Sequence, residues 1–188
     1  MSRFVVVLDA CVLVPISLAD TLLRIAEVEL YRPVWSQKIL DEVRTAVLEI
    51  HPDEDPGRVD ARLHSMNDTF EDACVAGWEP LVEGINLPDE NDRHVVAAAL
   101  RGHAEVIVTN NVRDFPAKVL EEFGLSALTP DEFLLDQLDL APGAVLGVLR
   151  RQAAAARRPP LTIDDVLQAL ARASAPTFAR TVQEHLKR

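Results

Sequence analysis

The sequence predicts an α/β fold in which helices cover both faces of a parallel central sheet. Two short apolar runs, at residues 4–9 and 105–109, are typical of buried strands, and residues 125–128 can form a third strand. Amphipathic segments alternate with these runs, which indicates crossover helices and a three-layer α/β/α sandwich. The chain has 188 residues, 48% of them hydrophobic, and is therefore long enough to bury a sizeable core.

Apolar spacing and capping residues predict the elements of the first half. A helix is expected over 17–30, followed by a short strand or an extended link at 31–34. Pro33 restricts such a strand to an edge or an end, because proline has no N–H to donate. A serine N-cap begins a helix over 36–50, and an Asp-Pro pair begins an amphipathic helix over 55–70.

The second half continues the alternation. A helix over 92–102 ends near a glycine and leads directly into the apolar strand at 105–109. A helix over 114–124 precedes the third strand, at 125–128. A capping box then predicts a helix over 129–138. Because the carboxyl ends of parallel strands share one edge, that edge is where a site is expected.

Charge divides the chain into an acidic body, residues 1–140, and a basic helical extension, residues 141–188. The extension has eight basic and three acidic residues, a formal charge of +5, so the body carries −16 of the total of −11. Helices are expected near 143–156, 163–173 and 177–187. The extension contains two basic pairs, Arg150-Arg151 and Arg157-Arg158. Such pairs most often form a solvated helix face; alternatively, they steer an RNA backbone or dock on the acidic body.

Cysteine content and hydropathy indicate a cytoplasmic protein. Cys11 and Cys74 form neither a disulfide framework nor a zinc pattern, and both are expected to be reduced, buried thiols. Cys11 follows a strand end, and Cys74 is expected on an apolar helix face. No apolar run approaches the length of a membrane span. Aromatic residues make up only 5%, which argues against a stacking platform for single-stranded nucleic acid.

Four acidic residues lie where predicted elements meet turns. Asp9 ends the first strand, Asp92 begins a helix, and Asp114 follows a strand end. Glu42 lies at the border of an apolar helix stripe and is preferred to Asp41, which lies opposite it. Each alone has an ordinary explanation as a turn former, a helix cap or a solvated side chain. Together they predict a pocket of hard oxygen ligands for Mg²⁺ or Mn²⁺, a cation suited to phosphodiester hydrolysis.

Two other classes of protein that gather carboxylates at strand ends fit the sequence less well. A phosphotransfer receiver would have a second acid after the first strand and a lysine after 125–128, and a haloacid-dehalogenase phosphatase would have Asp-x-Asp. Asp9 is followed by an alanine and then Cys11, so both classes lack a required residue. His94 and His103 do not form a metal pair, because one lies inside a predicted helix and the other beyond its end.

The chain resembles PIN-domain proteins, in particular the toxin branch of type II toxin–antitoxin systems, the VapC-like proteins. The likeness extends over at least residues 4–140, and the extension also resembles that branch. The segments that carry it are Val7-Leu8-Asp9-Ala10, residues 31–36 with 39–43, residues 87–95 and residues 108–116.

This resemblance implies a parallel α/β/α fold and a metal-dependent endoribonuclease in residues 1–140. It also implies an RNA substrate, a cognate antitoxin and a homodimer. The four acids of the family correspond to Asp9, Glu42, Asp92 and Asp114, with Mg²⁺ or Mn²⁺ as the cofactor. Possible supporting residues are Asp89, which either assists Asp92 or caps its helix, and Thr109 and Asn111. The alternative is a non-catalytic PIN-like module that binds protein or RNA.

Two positions depart from the family pattern. Cys11 occupies a place where relatives commonly have a small polar residue, so support of the first acid is expected to differ. The turn after the second apolar strand contains Asn110-Asn111 rather than Gly-Asp. Asp114 must therefore supply the fourth acid from slightly farther along the chain; without it, three acids would bind a cation more weakly.

Overall fold

The computed structural model describes residues 4–157 and 159–187. Within these residues, five strands form one sheet in which every strand is parallel to its neighbours. The strand order is β3-β2-β1-β4-β5. The strands are β1 (Val5–Leu8), β2 (Arg32–Ser36), β3 (Cys74–Val75), β4 (Val106–Val108) and β5 (Ser126–Leu128).

Helices flank this sheet, so the predicted three-layer α/β/α architecture with a C-terminal helical extension is confirmed. Three short 3₁₀ helices, Glu79–Gly84, Glu90–Asp92 and Val112–Asp114, interrupt the connections. The α-helices are α1 (Ala10–Leu13), α2 (Ile16–Glu27), α3 (Gln37–Ile50), α4 (Pro56–Thr69), α5 (Arg93–Gly102), α6 (Ala117–Glu121), α7 (Pro130–Leu140), α8 (Pro142–Ala155), α9 (Ile163–Arg172) and α10 (Pro176–Leu186).

Strand β1 is central and entirely buried. It pairs with β2 on one side and with β4 on the other, with Val7 in register with both Val34 and Ile107. The chain thus leaves β1 in one direction to form β2 and β3, and returns on the other side to form β4 and β5. This reversal creates a crevice at the carboxyl end of β1, where ligands bind in open α/β sheets.

Strand β2 is an interior strand, although the sequence predicted that Pro33 would restrict a strand here to an edge or an end. Arg32 N–H donates to Phe4 O at 2.8 Å, toward β1, whereas Trp35 N–H donates to Ala73 O at 2.9 Å, toward β3. Because N–H groups alternate in direction along a strand, the N of Pro33 faces the β3 side before β3 begins. No ladder bond is lost there, so proline is tolerated.

Strand β3 was not predicted. Cys74 was expected on a helix face, but it lies in this two-residue strand and pairs with Trp35. Helix α4 ends at Thr69, so the amphipathic stripe stops before the cysteine. Both Cys11 and Cys74 are free thiols, as expected, but they are partly rather than fully buried.

Capping residues start three helices as predicted. Ser36 Oγ accepts from Ile39 N at 3.2 Å at the start of α3, and Asp55 Oδ1 accepts from Gly57 N at 2.9 Å at the start of α4. Thr129 forms the predicted capping box of α7 with Glu132. Local sequence therefore determines these boundaries.

The prediction for residues 114–124 was wrong in detail. Asp114 ends a 3₁₀ helix rather than capping the following helix, whose N-cap is Pro116, and α6 ends at Glu121. The Phe115-Pro116 step explains this, because a residue before proline avoids helical backbone angles. The Asp114 side chain therefore does not cap the following helix.

Helix α5 ends at Gly102, but the left-handed residue is His103, with φ 56°. Gly102 serves a packing purpose instead. A Cβ at this position would lie 2.7 Å from Val34 Cγ1, so only glycine allows α5 to approach β2 this closely. This contact fixes α5 against the sheet.

The extension packs on the body through α2 and α7. Gln152 of α8 accepts a hydrogen bond from Thr21 Oγ1 at 2.7 Å and donates to Ser17 O at 3.0 Å. Asp131 of α7 accepts from Thr177 N at 3.1 Å and Phe178 N at 2.7 Å, and so caps α10. Within the described ranges, no helix is long and apolar enough to cross a bilayer.

Candidate functional site

Asp9 lies at the carboxyl end of β1 and is only 6% exposed. Its backbone N–H donates to Val108 O at 3.1 Å, which continues the ladder to β4 by one residue. Its Oδ1 accepts from Ala10 N at 2.7 Å and thereby caps α1. The sheet and the short helix thus hold this carboxylate in a nearly solvent-free position.

Thr109 and Cys11 hold the other oxygen of Asp9. The buried Thr109 Oγ1 donates to Asp9 Oδ2 at 2.7 Å, and Cys11 Sγ donates to the same oxygen at 3.3 Å. Burial, followed by the charge of Asp9, raises the pKa of the Cys11 thiol to about 12, so it remains protonated. Thr109 and Cys11 therefore act here as hydrogen-bond donors that orient Asp9.

The raised pKa of Asp92 indicates that several carboxylates lie near one another. Its pKa rises from the ordinary 3.8 to about 6, first because burial disfavours the charged form, and then because of the negative charges of Asp9, Asp89 and Asp114. His94 acts in the opposite direction. The structure thus brings together three of the four acids selected from the sequence, from the end of β1, the start of α5 and the segment after β4.

The supporting residues differ in what they do. Asp89 Oδ1 accepts from Asn91 N at 2.9 Å, so it caps the 3₁₀ helix before α5 and also adds negative charge beside Asp92. Asp92, expected as a helix cap, occupies the N-cap position of α5 but makes no side-chain capping bond. Asn111 is exposed and contacts the site through its backbone N–H, which donates to Thr109 Oγ1 at 3.0 Å.

Glu42 contacts this region through His94 rather than through the acids. Among the described residues, it is not one of the acids that raise the pKa of Asp92. Its Oε1 lies 2.9 Å from His94 Nε2 and 3.8 Å from Lys38 Nζ, and its side chain is 40% exposed. Glu42 on α3 is therefore linked to α5, whose N-cap residue is Asp92.

His94 is a buried residue beside the site that the sequence did not identify. It was dismissed as half of a metal pair, but it is 4% exposed, contacts Glu42 and packs beside Trp78 with ring centroids 5.9 Å apart. The only sequence signal was its place two residues after Asp92, on a helix face that proved to be buried. His103, beyond the end of α5, lies outside this arrangement.

The donor set fits a hard divalent cation. It consists of carboxylates, which suit Mg²⁺ or Mn²⁺, and their mutual repulsion is what a cation would relieve. In residues 4–157 and 159–187, no three histidine, cysteine or acidic side chains already form a ready-made metal cluster. Like charges repel, so carboxylates approach ligand distances closely only around a compensating cation.

The basic pairs of the extension, where the structure describes them, are solvated. Arg150, Arg151 and Arg157 are exposed, and none forms an ion pair with any carboxylate in the described part of the chain. Arg158 lies outside the described residues. Contact of these arginines with a polyanion stays a prediction.

Comparisons with known proteins match parts of both the body and the extension. A family model described as PIN domain matches residues 5–113, and one described as VapC50 C-terminal domain matches residues 130–184. Over 107 residues, the chain is 44% identical to "Putative ribonuclease VapC50" of Mycobacterium tuberculosis (strain ATCC 25618 / H37Rv). The match covers 57% of this chain and 62% of that relative, less than two thirds of its length. No solved structure gives a significant match.

Proposed function

Because this chain belongs to the PIN-domain family, we propose that it is a metal-dependent endoribonuclease that hydrolyses RNA phosphodiester bonds. The observation that carries the proposal is the raised pKa of Asp92, caused in part by the charges of Asp9, Asp89 and Asp114. Acids far apart in the chain repel one another in one crevice, at the edge of the sheet where such folds bind ligands. Perturbed carboxyl groups of this kind are typical of functional sites.

Asp9, Glu42, Asp92 and Asp114 are the residues that would hold Mg²⁺ or Mn²⁺. The bound cation would supply Lewis-acid activation of water and neutralise charge on the phosphate. Asp9 contributes an oriented carboxylate, because Ala10 N–H and the Thr109 hydroxyl fix its two oxygens. A preorganised ligand loses little conformational freedom on binding.

Asp92 contributes a carboxyl group that exchanges its proton with solvent close to neutral pH. With a pKa of about 6 before a cation binds, Asp92 is mainly ionised above that pH, and below it a cation must displace the proton. Asp114 ends a 3₁₀ helix and is half-buried, and its charge contributes to the raised pKa of Asp92. Asp89 adds negative charge without leaving its cap.

The name of this relative and the family likeness support a more specific proposal, that the chain is the toxin of a toxin–antitoxin pair in the cytoplasm. Its partners would be RNA, a cognate antitoxin and a second copy of the chain. In this proposal residues 1–140 form the catalytic domain and residues 141–188 a basic extension. An antitoxin would inhibit it by covering the crevice or by placing a basic side chain among the carboxylates.

An apolar groove supports the proposal of a protein partner. A cavity of about 690 Å³ lies between the start of α2 and helices α3 and α4. Ile16 and Ile50 line it and are 72% and 60% exposed. Apolar side chains left in solvent at a groove are typical of protein interaction sites.

The test combines cation binding with RNA cleavage. Wild-type protein is expected to bind Mn²⁺ and to cleave single-stranded RNA only when Mg²⁺ or Mn²⁺ is added. Asp9→Asn is expected to lose both activities while remaining folded, although it should be less stable than wild type, because its amide nitrogen cannot accept the hydrogen bond from Thr109. Asp136→Asn makes the same chemical change at an exposed position of α7 and is expected to behave like wild type.

Cleavage that persists in Asp9→Asn, or in the presence of a chelator, would refute the assignment. Wild-type protein that binds Mn²⁺ and RNA without cutting would instead identify a non-catalytic PIN-like binding module.

A further inference from the structure

We infer that His94 is a positioning residue that aims the Glu42 carboxylate at the cation site. The inference rests on the proposed function, because it assigns a role in cation binding to a side chain outside the carboxylate set. The contact that motivates it is the 2.9 Å separation of His94 Nε2 and Glu42 Oε1.

The donor atom of His94 follows from its surroundings. Nε2 lies 2.9 Å from a carboxylate oxygen, which can only accept a hydrogen bond, so Nε2 faces Glu42 as a donor. Nδ1 is buried and has no hydrogen-bond partner in the described structure, so Glu42 is the polar partner that orients the ring. His94 is thus a fixed donor directed at Glu42.

The imidazole is held in place from two sides. It lies in the first turn of α5, which Gly102 packs tightly on β2, and its ring lies against Trp78, with centroids 5.9 Å apart and planes at 55°. Since the side chain is only 4% exposed, solvent does not compete for Nε2. The donor is therefore more rigid than the group it orients.

Glu42 needs such a restraint. It lies on the exposed side of α3, and its other described partner, Lys38, is a solvated neighbour at 3.8 Å, a type of pair that contributes little. Both contacts involve Oε1, and no described residue hydrogen-bonds to Oε2. The second oxygen therefore remains available as a ligand, while the first contacts α5, whose N-cap residue is Asp92.

The experiment is a double-mutant cycle read by the Mn²⁺ dissociation constant. His94→Leu is expected to weaken Mn²⁺ binding roughly 10- to 100-fold, the usual cost of losing a residue that supports a metal ligand. His94→Gln, which keeps an amide donor of similar reach, should remain within about threefold of wild type. In a Glu42→Ala background, His94→Leu should change the constant by less than about twofold, because the group it positions is gone.

A purely structural role would give the opposite pattern. Loss of affinity of equal size in the Glu42→Ala background would overturn the inference, and so would a His94→Leu variant that binds Mn²⁺ as wild type does. His94→Asn, whose amide is too short to reach Glu42, replaces His94→Leu if that variant does not fold, with the same expected loss. Wild-type protein that binds no Mn²⁺ would refute the proposed function as well, whereas normal binding by His94→Leu would refute this inference alone.

Discussion

Replacing Asp92 with asparagine should stabilise the protein near neutral pH when divalent cations are removed by a chelator. Asp92 has a pKa of about 6 in the folded protein, against an ordinary value of 3.8. Between these two values the folded chain retains a proton that the unfolded chain has lost. Unfolding therefore releases a proton, and the free energy of unfolding falls as pH rises through this window. An asparagine side chain cannot ionise, so the variant does not incur this loss.

The size of the effect follows from the pKa. A rise from 3.8 to about 6 would correspond to about 3 kcal/mol for a fully buried group. Asp92 is only half-buried, and solvent and salt screen its neighbours, so we expect roughly 1 kcal/mol. For a chain of this size, that is an increase of roughly 2–4 °C in Tm.

Thermal unfolding of both proteins at about pH 7.5 and about pH 4, in a chelating buffer, measures the prediction. The stabilisation should be present at the higher pH and absent at the lower. Mn²⁺ should raise the Tm of wild type more than that of the variant, because a ligand stabilises the state that binds it. An Asp92→Asn protein that is less stable than wild type at about pH 7.5, or equally stabilised at about pH 4, would contradict the electrostatic explanation.

Three further predictions concern the support of the site and the extension. Thr109→Val should lower the free energy of unfolding by about 1–3 kcal/mol and weaken Mn²⁺ binding, because Asp9 Oδ2 loses a buried donor. Thr109→Ser keeps the hydroxyl and should behave like wild type in both measurements. A Thr109→Ser protein as impaired as Thr109→Val would contradict the role of the hydroxyl. Reversing the charge of Arg150 and Arg151 should lower the salt dependence of RNA binding, with the slope of log K against log salt reduced by about 1.4 if both contact phosphate. An unchanged slope would exclude that contact. Asp131→Ala should cost about 0.5–2 kcal/mol, because α10 loses its cap, while hydrogen exchange in α10 should increase more than in β1; uniform exchange would argue against a local effect.

Elements with strong local signals could be predicted from the sequence. The apolar runs of β1 and β4 are buried strands, and Ser36 and Thr129 cap helices where expected, because a cap depends only on the next three residues. The three helices of the extension likewise lie within one or two residues of their predicted positions. Short-range hydrogen bonding and helical periodicity are sufficient for these features.

Features that depend on distant partners could not be predicted. Strand β3 has only two residues and exists because β2 offers Trp35 and Ser36 as pairing partners. Gly102 was expected to end a helix by its backbone freedom, but its main purpose is close contact with Val34. Neither partner is visible in the local sequence.

The candidate site divides in the same way. The meeting of Asp9, Asp92 and Asp114 could be predicted, because parallel strands place their carboxyl ends at one edge. The link between Glu42 and His94 depends on where the folded chain places α3 relative to α5. That placement is set by tertiary contacts, which the separate helical patterns do not encode.

Because the first strand of the chain pairs with β4, the site around Asp9 is completed late in synthesis. Asp9 leaves the ribosome well before its partner Thr109, which is 100 residues downstream, and β4 must dock on β1 before the two can meet. A nascent or truncated chain that ends before this point contains the first acid without its surroundings. If the chain is a ribonuclease, it therefore gains the ability to cut RNA only late in its own translation.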